Sequence, residues 1–454
     1  MSETVVRGSF WLFLDTIILS VEGWLFWLIV SPLTTPVEVG YATTILGLVT
    51  LVTSFLSLGL EYSLLREIGK AKVGVFASAM TFEVVLLAAL SPLVFIVGVS
   101  IYGAILSNYM ILGILYMLFH GAVFISRHSV LGLLESRLVL LFDFFGAMVR
   151  VVVGLWLVMQ GFGGLGIVSA ALVQQILISL GLAVFCYSKV GLKLGKLNEL
   201  KTLLKLGLSN FPGKISRIAI SNLSIILLAA VTSDPATVGV FYIALMMSLL
   251  AGGLATSLAT MALPTSTISD SDVTDTSLTL GLCLTAPIIS ALVTTPKFIL
   301  SLVGHTYATA SDSLIILALA TIPTTLTLNA VTKLNHKGML KELTYLGLLQ
   351  LIVFLAPFPL MVSSYQSFGA ALTVLISSIA AGAISFKWLG KSAFRPTIIS
   401  LIAVAAGWIL GVFLRPVPQP LVLVSAILTS TFVVFTLKGL KPKELIRLLK
   451  SIRQ

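Results

Sequence analysis

Charge is scarce in this chain. Asp, Glu, Lys and Arg together make up only 10% of its 454 residues, against about 25% in an ordinary soluble protein. Acidic residues number 17 against 28 basic ones, and there are four histidines and two cysteines. No hydrophilic stretch is long enough to fold as a soluble domain, so any function must reside in helices and short loops. Cys186 and Cys283 both lie in apolar runs. They suggest neither a disulfide framework nor a metal site and read as small buried hydrophobes. No glycine-rich nucleotide loop, zinc-ligand spacing or catalytic triad stands out. The acidic pair Asp270 and Asp272 sits in a short loop and reads as solvated residues capping the next helix, not as a transferase centre. The chain is therefore not expected to be an enzyme, nor to need a metal or other cofactor.

What is abundant is apolar sequence, at 58% of residues. Runs long enough to cross a ~30 Å hydrocarbon core recur from end to end. Fourteen candidate spans follow one another from Gly8–Ser31 to Leu421–Leu437, which predicts an all-α polytopic membrane protein. No small-residue cleavage site follows the first span, so it is expected to be retained. With a cytoplasmic N-terminus, all but five of the 28 basic residues fall on the cytoplasmic side: Arg415 lies outside, and Arg150, Lys214, Arg217 and Lys297 lie within spans. The positive-inside rule then predicts both termini in the cytoplasm of a multi-pass cell-membrane protein. Leu192–Gly207 and the C-terminal tail each set leucines at helical spacing opposite lysines. Both read as amphipathic helices on membrane lipid, which accounts for much of the +11 net charge without nucleic acid.

The chain also repeats itself. PVEVG at Pro36 recurs as PATVG at Pro235, and Gly8 and Gly207 open the first helix of each half at the same separation of 199 residues. Farther on, Gly132 and Phe162-Gly163 match Gly338 and Phe368-Gly369 at a separation of 206. Six spans per repeat is an even number, so both repeats insert the same way and a substrate site is expected at their interface, as in transporters. The expected organisation is a six-helix lobe over 1–188, a cytoplasmic amphipathic linker over 189–206 and a second six-helix lobe over 207–390. Two additional spans over 391–437 and a basic amphipathic tail over 438–454 complete it.

Several local words carry a family likeness. GLEYSLLREIGK (Gly59 to Lys70), LVGHTYATASDSLIILALA (Leu302 to Ala320), FGGLGIVSA (Phe162 to Ala170) and FGAALTVLI (Phe368 to Ile376) resemble segments of polysaccharide-transport flippases. These oligosaccharide-lipid exporters share a superfamily with multidrug and toxic compound extrusion proteins and lipid II flippases. The resemblance implies two six-helix lobes around a V-shaped cleft, and translocation of a polyprenyl-(pyro)phosphate-linked oligosaccharide by alternating access, working as a monomer. A cation-coupled exporter of small amphipathic molecules is the alternative, and uncoupled lipid scrambling a third reading.

Charges inside spans cost roughly 2.5–3.5 kcal/mol each on insertion scales, which makes them functional candidates. Lys214 and Arg217 are three residues apart on one helical face. They are the leading substrate-binding residues, with the arginine fork suited to a pyrophosphate; snorkelling to the interface is the competing role. Asn210, Ser221 and Asn222 on the same segment join them. In the first repeat Lys214 aligns with Asp15 and Ser221 with Glu22, so Asp15 is expected to pair with Lys214 in the empty carrier. Asp15 and Glu22 are also candidates for a coupling site that binds H+ or Na+. Arg66 reads as either a gate residue or an ordinary cytoplasmic charge. Asp143 and Arg150, two turns apart, are expected to form a structural charge pair inside the first lobe.

Overall fold

The computed structural model describes residues 3–68, 74–191, 197–269, 274–414, 416–437 and 439. Within these segments it describes all side chains except those of residues 3–10, 13, 62, 66, 197–199, 209–210, 212–219 and 260–269. Every regular element among the described residues is a helix. Close contacts divide the chain between Tyr242 and Ile243 into two units.

The first unit contains α1 (Glu3–Val30), α2 (Pro36–Leu56), α3 (Leu60–Glu67), α4 (Val75–Tyr102), α5 (Ser107–Gly132), α6 (Ser136–Met159), α7 (Gly163–Val190), α8 (Leu197–Thr232) and the first two turns of α9 (Pro235–Ser269). Helix starts follow from local chemistry. At α2, the Thr35 hydroxyl accepts from the Glu38 amide (3.3 Å), and the Glu38 carboxylate accepts from the Thr35 amide (3.2 Å), a capping box with Pro36 in the first turn. At α9 the Asp234 carboxylate accepts from the amides of Ala236 (3.0 Å) and Thr237 (3.2 Å), with Pro235 behind it. The short helix α3 is docked by a core cluster that joins its Leu60 and Leu64 to Phe76, Val139, Leu182 and Leu203. The Ser63 hydroxyl donates to the Leu203 carbonyl at 2.6 Å and ties α3 to α8. At the corner before α3, Gly59 (φ 77°) lies against the backbone of Gly207, an approach that leaves no room for a Cβ on either residue. These contacts draw α8 into the first unit, whereas the sequence expectation opens a second lobe at 207. Residues 197–206, expected in a separate linker, continue without a break into α8.

The second unit holds the rest of α9 with α10 (Thr274–Thr294), α11 (Pro296–Val303), α12 (Ser311–His336), α13 (Leu340–Leu355), α14 (Phe358–Leu389), α15 (Phe394–Phe413) and α16 (Gln419–Thr436). Helix α14 is bent back at Gln366 (φ 49°, ψ −125°), where Gly369 sits on the Met361 carbonyl. Ser313 meets Ser367 (3.4 Å) and Thr324 meets Ser378 (3.2 Å), both 54 residues apart. A constant separation means α12 and α14 run parallel. In the first unit His120 meets Gln175 at a separation of 55, so α5 and α7 share that pairing. Helices α15 and α16 pack on α10, with Gly407 against Ser290 and the Ser290 hydroxyl 3.4 Å from the Ala426 carbonyl.

Eleven described segments are long and apolar enough to cross a membrane, against the fourteen spans expected. One of them, Val75–Gly132, contains both α4 and α5 on either side of a 3-10 turn at Gly103. Helix α13, at 16 residues, is too short to be counted, because it ends ahead of Pro357. On α8 the apolar described portion is Ile220–Thr232.

Candidate functional site

Seven residues separate Asp15 from Glu22 on α1, and seven separate Asp143 from Arg150 on α6. Seven residues are two helical turns, or about 10.5 Å of rise. Asp15 and Asp143 are both ion-paired with Arg127 of α5, the Asp143 contact at 3.2 Å. Two turns farther on, the Arg150 guanidinium reaches Glu22 at 3.3 Å. One turn beyond, Gly154 leaves room for the Phe26 ring. Asp15, Glu22 and Phe26 each lie level with the α6 residue 128 positions later, so the helices run parallel and in register. The matched spacing of charges on the two helices is what makes both rungs form.

The lower rung is nearly sealed. Asp15 is 1% and Asp143 2% exposed, whereas Arg127 keeps 27% of its side-chain surface accessible. Two carboxylates and one guanidinium leave one negative charge in excess when all three are ionised, and a proton or a monovalent cation would balance it. In the upper rung Glu22 is balanced by Arg150, whose guanidinium also covers the Phe26 ring at 4.2 Å. Phe26 stands edge-on to Trp27 (5.2 Å), and Trp27 to Tyr242 (5.0 Å). On α5, Tyr116 stacks on His120 at 5.2 Å, and His120 Nδ1 lies 3.1 Å from Gln175 Oε1. Among the described residues no group of three or more His, Cys, Asp and Glu side chains stands ready to hold a metal.

The structure brings together Asp15, Glu22, Asp143 and Arg150 but deals the partners differently from expectation. Asp143 and Arg150 do not pair with each other: two turns apart on one helix, each meets a different rung. Asp15 is ion-paired with Arg127; its expected pairing with Lys214 falls on a side chain outside the described residues. The side chains of Lys214, Arg217, Asn210 and Arg66 lie outside the described residues. Ser221 and Asn222 are half-buried on α8, and the Asn222 side chain faces Gly47 of α2. Arg127 was missing from the sequence candidates because the positive-inside count places it among the cytoplasmic basic residues. Helix α5 continues to Gly132, which carries Arg127 into the packed interior. Its signal was positional, since a helix ending at that glycine must include it.

A bundle of apolar helices, with eleven described segments long enough to cross a membrane, defines a helical membrane protein. Solved structures share its fold. A lipid II flippase, MurJ, in an inward closed conformation is similar over 94% of this chain and 99% of its own, at 17% identity and a TM-score of 0.71. An inward-facing multidrug resistance transporter of the MATE family, in the MOP superfamily, is similar over 87% and 99%, at 16% identity and a TM-score of 0.62. A MATE transporter of Vibrio cholerae is similar over 87% and 100%, at 13% identity and a TM-score of 0.59. No curated protein matches at the level of sequence. The model of the polysaccharide biosynthesis protein family matches residues 29–312, and the chain belongs to that family.

Proposed function

We propose that the chain is a flippase that moves a polyprenyl-(pyro)phosphate-linked oligosaccharide across the cytoplasmic membrane by alternating access. In this reading fourteen helices span the membrane, both termini are cytoplasmic, a single copy suffices and the cargo is moved without chemical change. Family membership in polysaccharide biosynthesis and a fold shared with a lipid II flippase support it. The observation that carries it is the ladder of buried ionisable groups on α1, α5 and α6. Groups this costly at bilayer depth are retained for transport or coupling. Lys214 and Arg217, with Asn210, Ser221 and Asn222, are the proposed grip on the phosphate, Arg66 is a gate residue, and Asp15 and Glu22 serve coupling. A proton or Na+ joins Asp15 and Asp143 when the excess carboxylate must be neutralised.

The test is translocation of a short-chain polyprenyl-pyrophosphate disaccharide in proteoliposomes, read by protection from a membrane-impermeant enzyme. Protection is expected with the native chain and is lost in Lys214→Ala with Arg217→Ala. Protection unchanged in that double variant removes both residues from the site. The excess carboxylate of the lower rung favours a second reading, cation-coupled export of a small amphipathic molecule. Efflux of a cationic dye driven by a proton or Na+ gradient, without lipid translocation, would select it.

A further inference from the structure

A groove in the first unit is lined by apolar side chains alone. It holds about 280 Å³ between α2 and α4, with Leu48, Val52 and Phe55 on one wall and Leu90, Val94 and Val97 on the other. Positions i, i+4 and i+7 share a helical face, so each helix contributes one stripe. Pro92 falls within the α4 stripe. It has no N–H for the Ala88 carbonyl, and the Ser91 hydroxyl donates to that carbonyl instead at 2.8 Å. A proline in a helix interior bends the helix, which accounts for a gap where two apolar stripes would otherwise close. Leu93, also in the lining, and Val97 remain 58% and 43% exposed, so the groove opens to the surroundings on its α4 side.

One end of the groove adjoins a cationic rim. Phe55 stands edge-on to Phe211 of α8 at 6.2 Å. Just past Leu56, the last groove residue of α2, Leu58 and Gly59 lie against the backbone of Gly207. Two residues before Gly207 comes Lys205, and one turn before that Lys201. Both are exposed, and their spacing puts them on one face of α8. Glu61 and Glu67 of the adjoining α3 are buried, so the charge that the described side chains offer at this rim is positive. In the orientation proposed above, this end of α2 faces the cytoplasm.

An apolar slot with cations at its mouth is complementary to a single-tailed anionic lipid, whose chain is buried while its phosphate meets the lysines. We propose that the α2–α4 groove and the Lys201–Lys205 rim form a docking site for the polyprenyl-(pyro)phosphate end of the cargo, occupied from the cytoplasmic leaflet before translocation. The inference rests on the flippase reading above and gives the carrier lipid its first holding place. A two-tailed phospholipid is the poorer match, because one slot admits one chain. Lys214 lies nine residues beyond Lys205 on α8, about 13.5 Å along the same helix. The phosphate then passes from the rim to the proposed grip along a single element.

The experiment uses the full chain in lipid nanodiscs and a polyprenyl pyrophosphate carrying a diazirine in its tail, with the photolabelled sites mapped by peptide mass spectrometry. Label is expected on residues 48–56 of α2 and 90–97 of α4. Excess unmodified polyprenyl pyrophosphate should compete it away, and phosphatidylglycerol should not. Lys201→Gln and Lys205→Gln should each weaken the apparent affinity about fivefold. Lys391→Gln, at an exposed lysine of the second unit, should leave it unchanged. Leu93→Trp fills the groove from its exposed side and should cut labelling roughly tenfold. The two lysine variants alter only exposed side chains, so they carry the test if Leu93→Trp misfolds. Equal competition by phosphatidylglycerol makes the groove an ordinary lipid contact and overturns the proposal. Label confined to other helices overturns it too, as does an affinity indifferent to both lysines. Labelling that meets these expectations in a chain that moves no lipid upholds the site and overturns the flippase reading. Translocation by the native chain with no label in the groove does the reverse.

Discussion

Single buried charges set the energetics of the α1–α6 ladder. Removing one partner of a buried pair strands the other, at a cost of about 3–5 kcal/mol in measured cases, whereas removing both is often neutral. Glu22→Gln removes the charge that balances Arg150, whose guanidinium still covers the Phe26 ring. The variant is expected to lose several degrees of melting temperature in detergent, and adding Arg150→Met should recover most of the loss in the same scan. Arg127→Gln should be worse, since it leaves Asp15 and Asp143 facing each other with no cation between them. Adding Asp15→Asn relieves that repulsion, so the double variant is expected to be more stable than Arg127→Gln alone, by the same melting measurement.

At the scale of elements, the parallel register of α1 and α6 makes pairs exchangeable along the rung but not between rungs. Glu22→Arg combined with Arg150→Glu is expected to retain more transport and expression than either single reversal; equal loss in all three would deny the pairing. Much of this layer was legible in the sequence. Helices α6 (Ser136–Met159) and α7 (Gly163–Val190) follow the apolar runs Leu138–Met159 and Leu165–Tyr187 to within three residues at each end, because a membrane span must be apolar for most of its length. The seven-residue spacings of Asp15–Glu22 and Asp143–Arg150 were equally visible. What could not be read was which helices stand side by side. Spacing along a helix states which residues share a face, but only tertiary packing decides what that face meets, so Asp143 and Arg150 were matched to each other and Arg127 was left at a membrane surface. The continuity of α8 through the expected linker has the same origin: lysine-rich sequence with leucines at helical spacing satisfies a surface helix and the start of a span equally well.

For the whole molecule, the even number of crossings proposed for each repeat requires particular loops to share a side. The turn at Ile105, between α4 and α5, should lie outside, and the turn at Ser392, between α14 and α15, inside. Ile105→Cys is expected to react with an impermeant maleimide in intact cells, and Ser392→Cys only after permeabilisation; the reverse pattern would invert the proposed orientation. The ladder also has a consequence for how the protein is made. Asp15 and Arg127 are 112 residues apart in the chain, and Glu22 and Arg150 are 128 apart. At roughly 5–20 residues per second, Arg150 leaves the ribosome about 6–25 s after Glu22. During that interval α1 carries two carboxylates toward the lipid, each at a penalty of roughly 2.5–3.5 kcal/mol, without the cations that later neutralise them. Helix α1 is thus secured only once α5 and α6 have followed it, and a nascent chain halted after α4 should hold α1 loosely enough for carbonate to extract it.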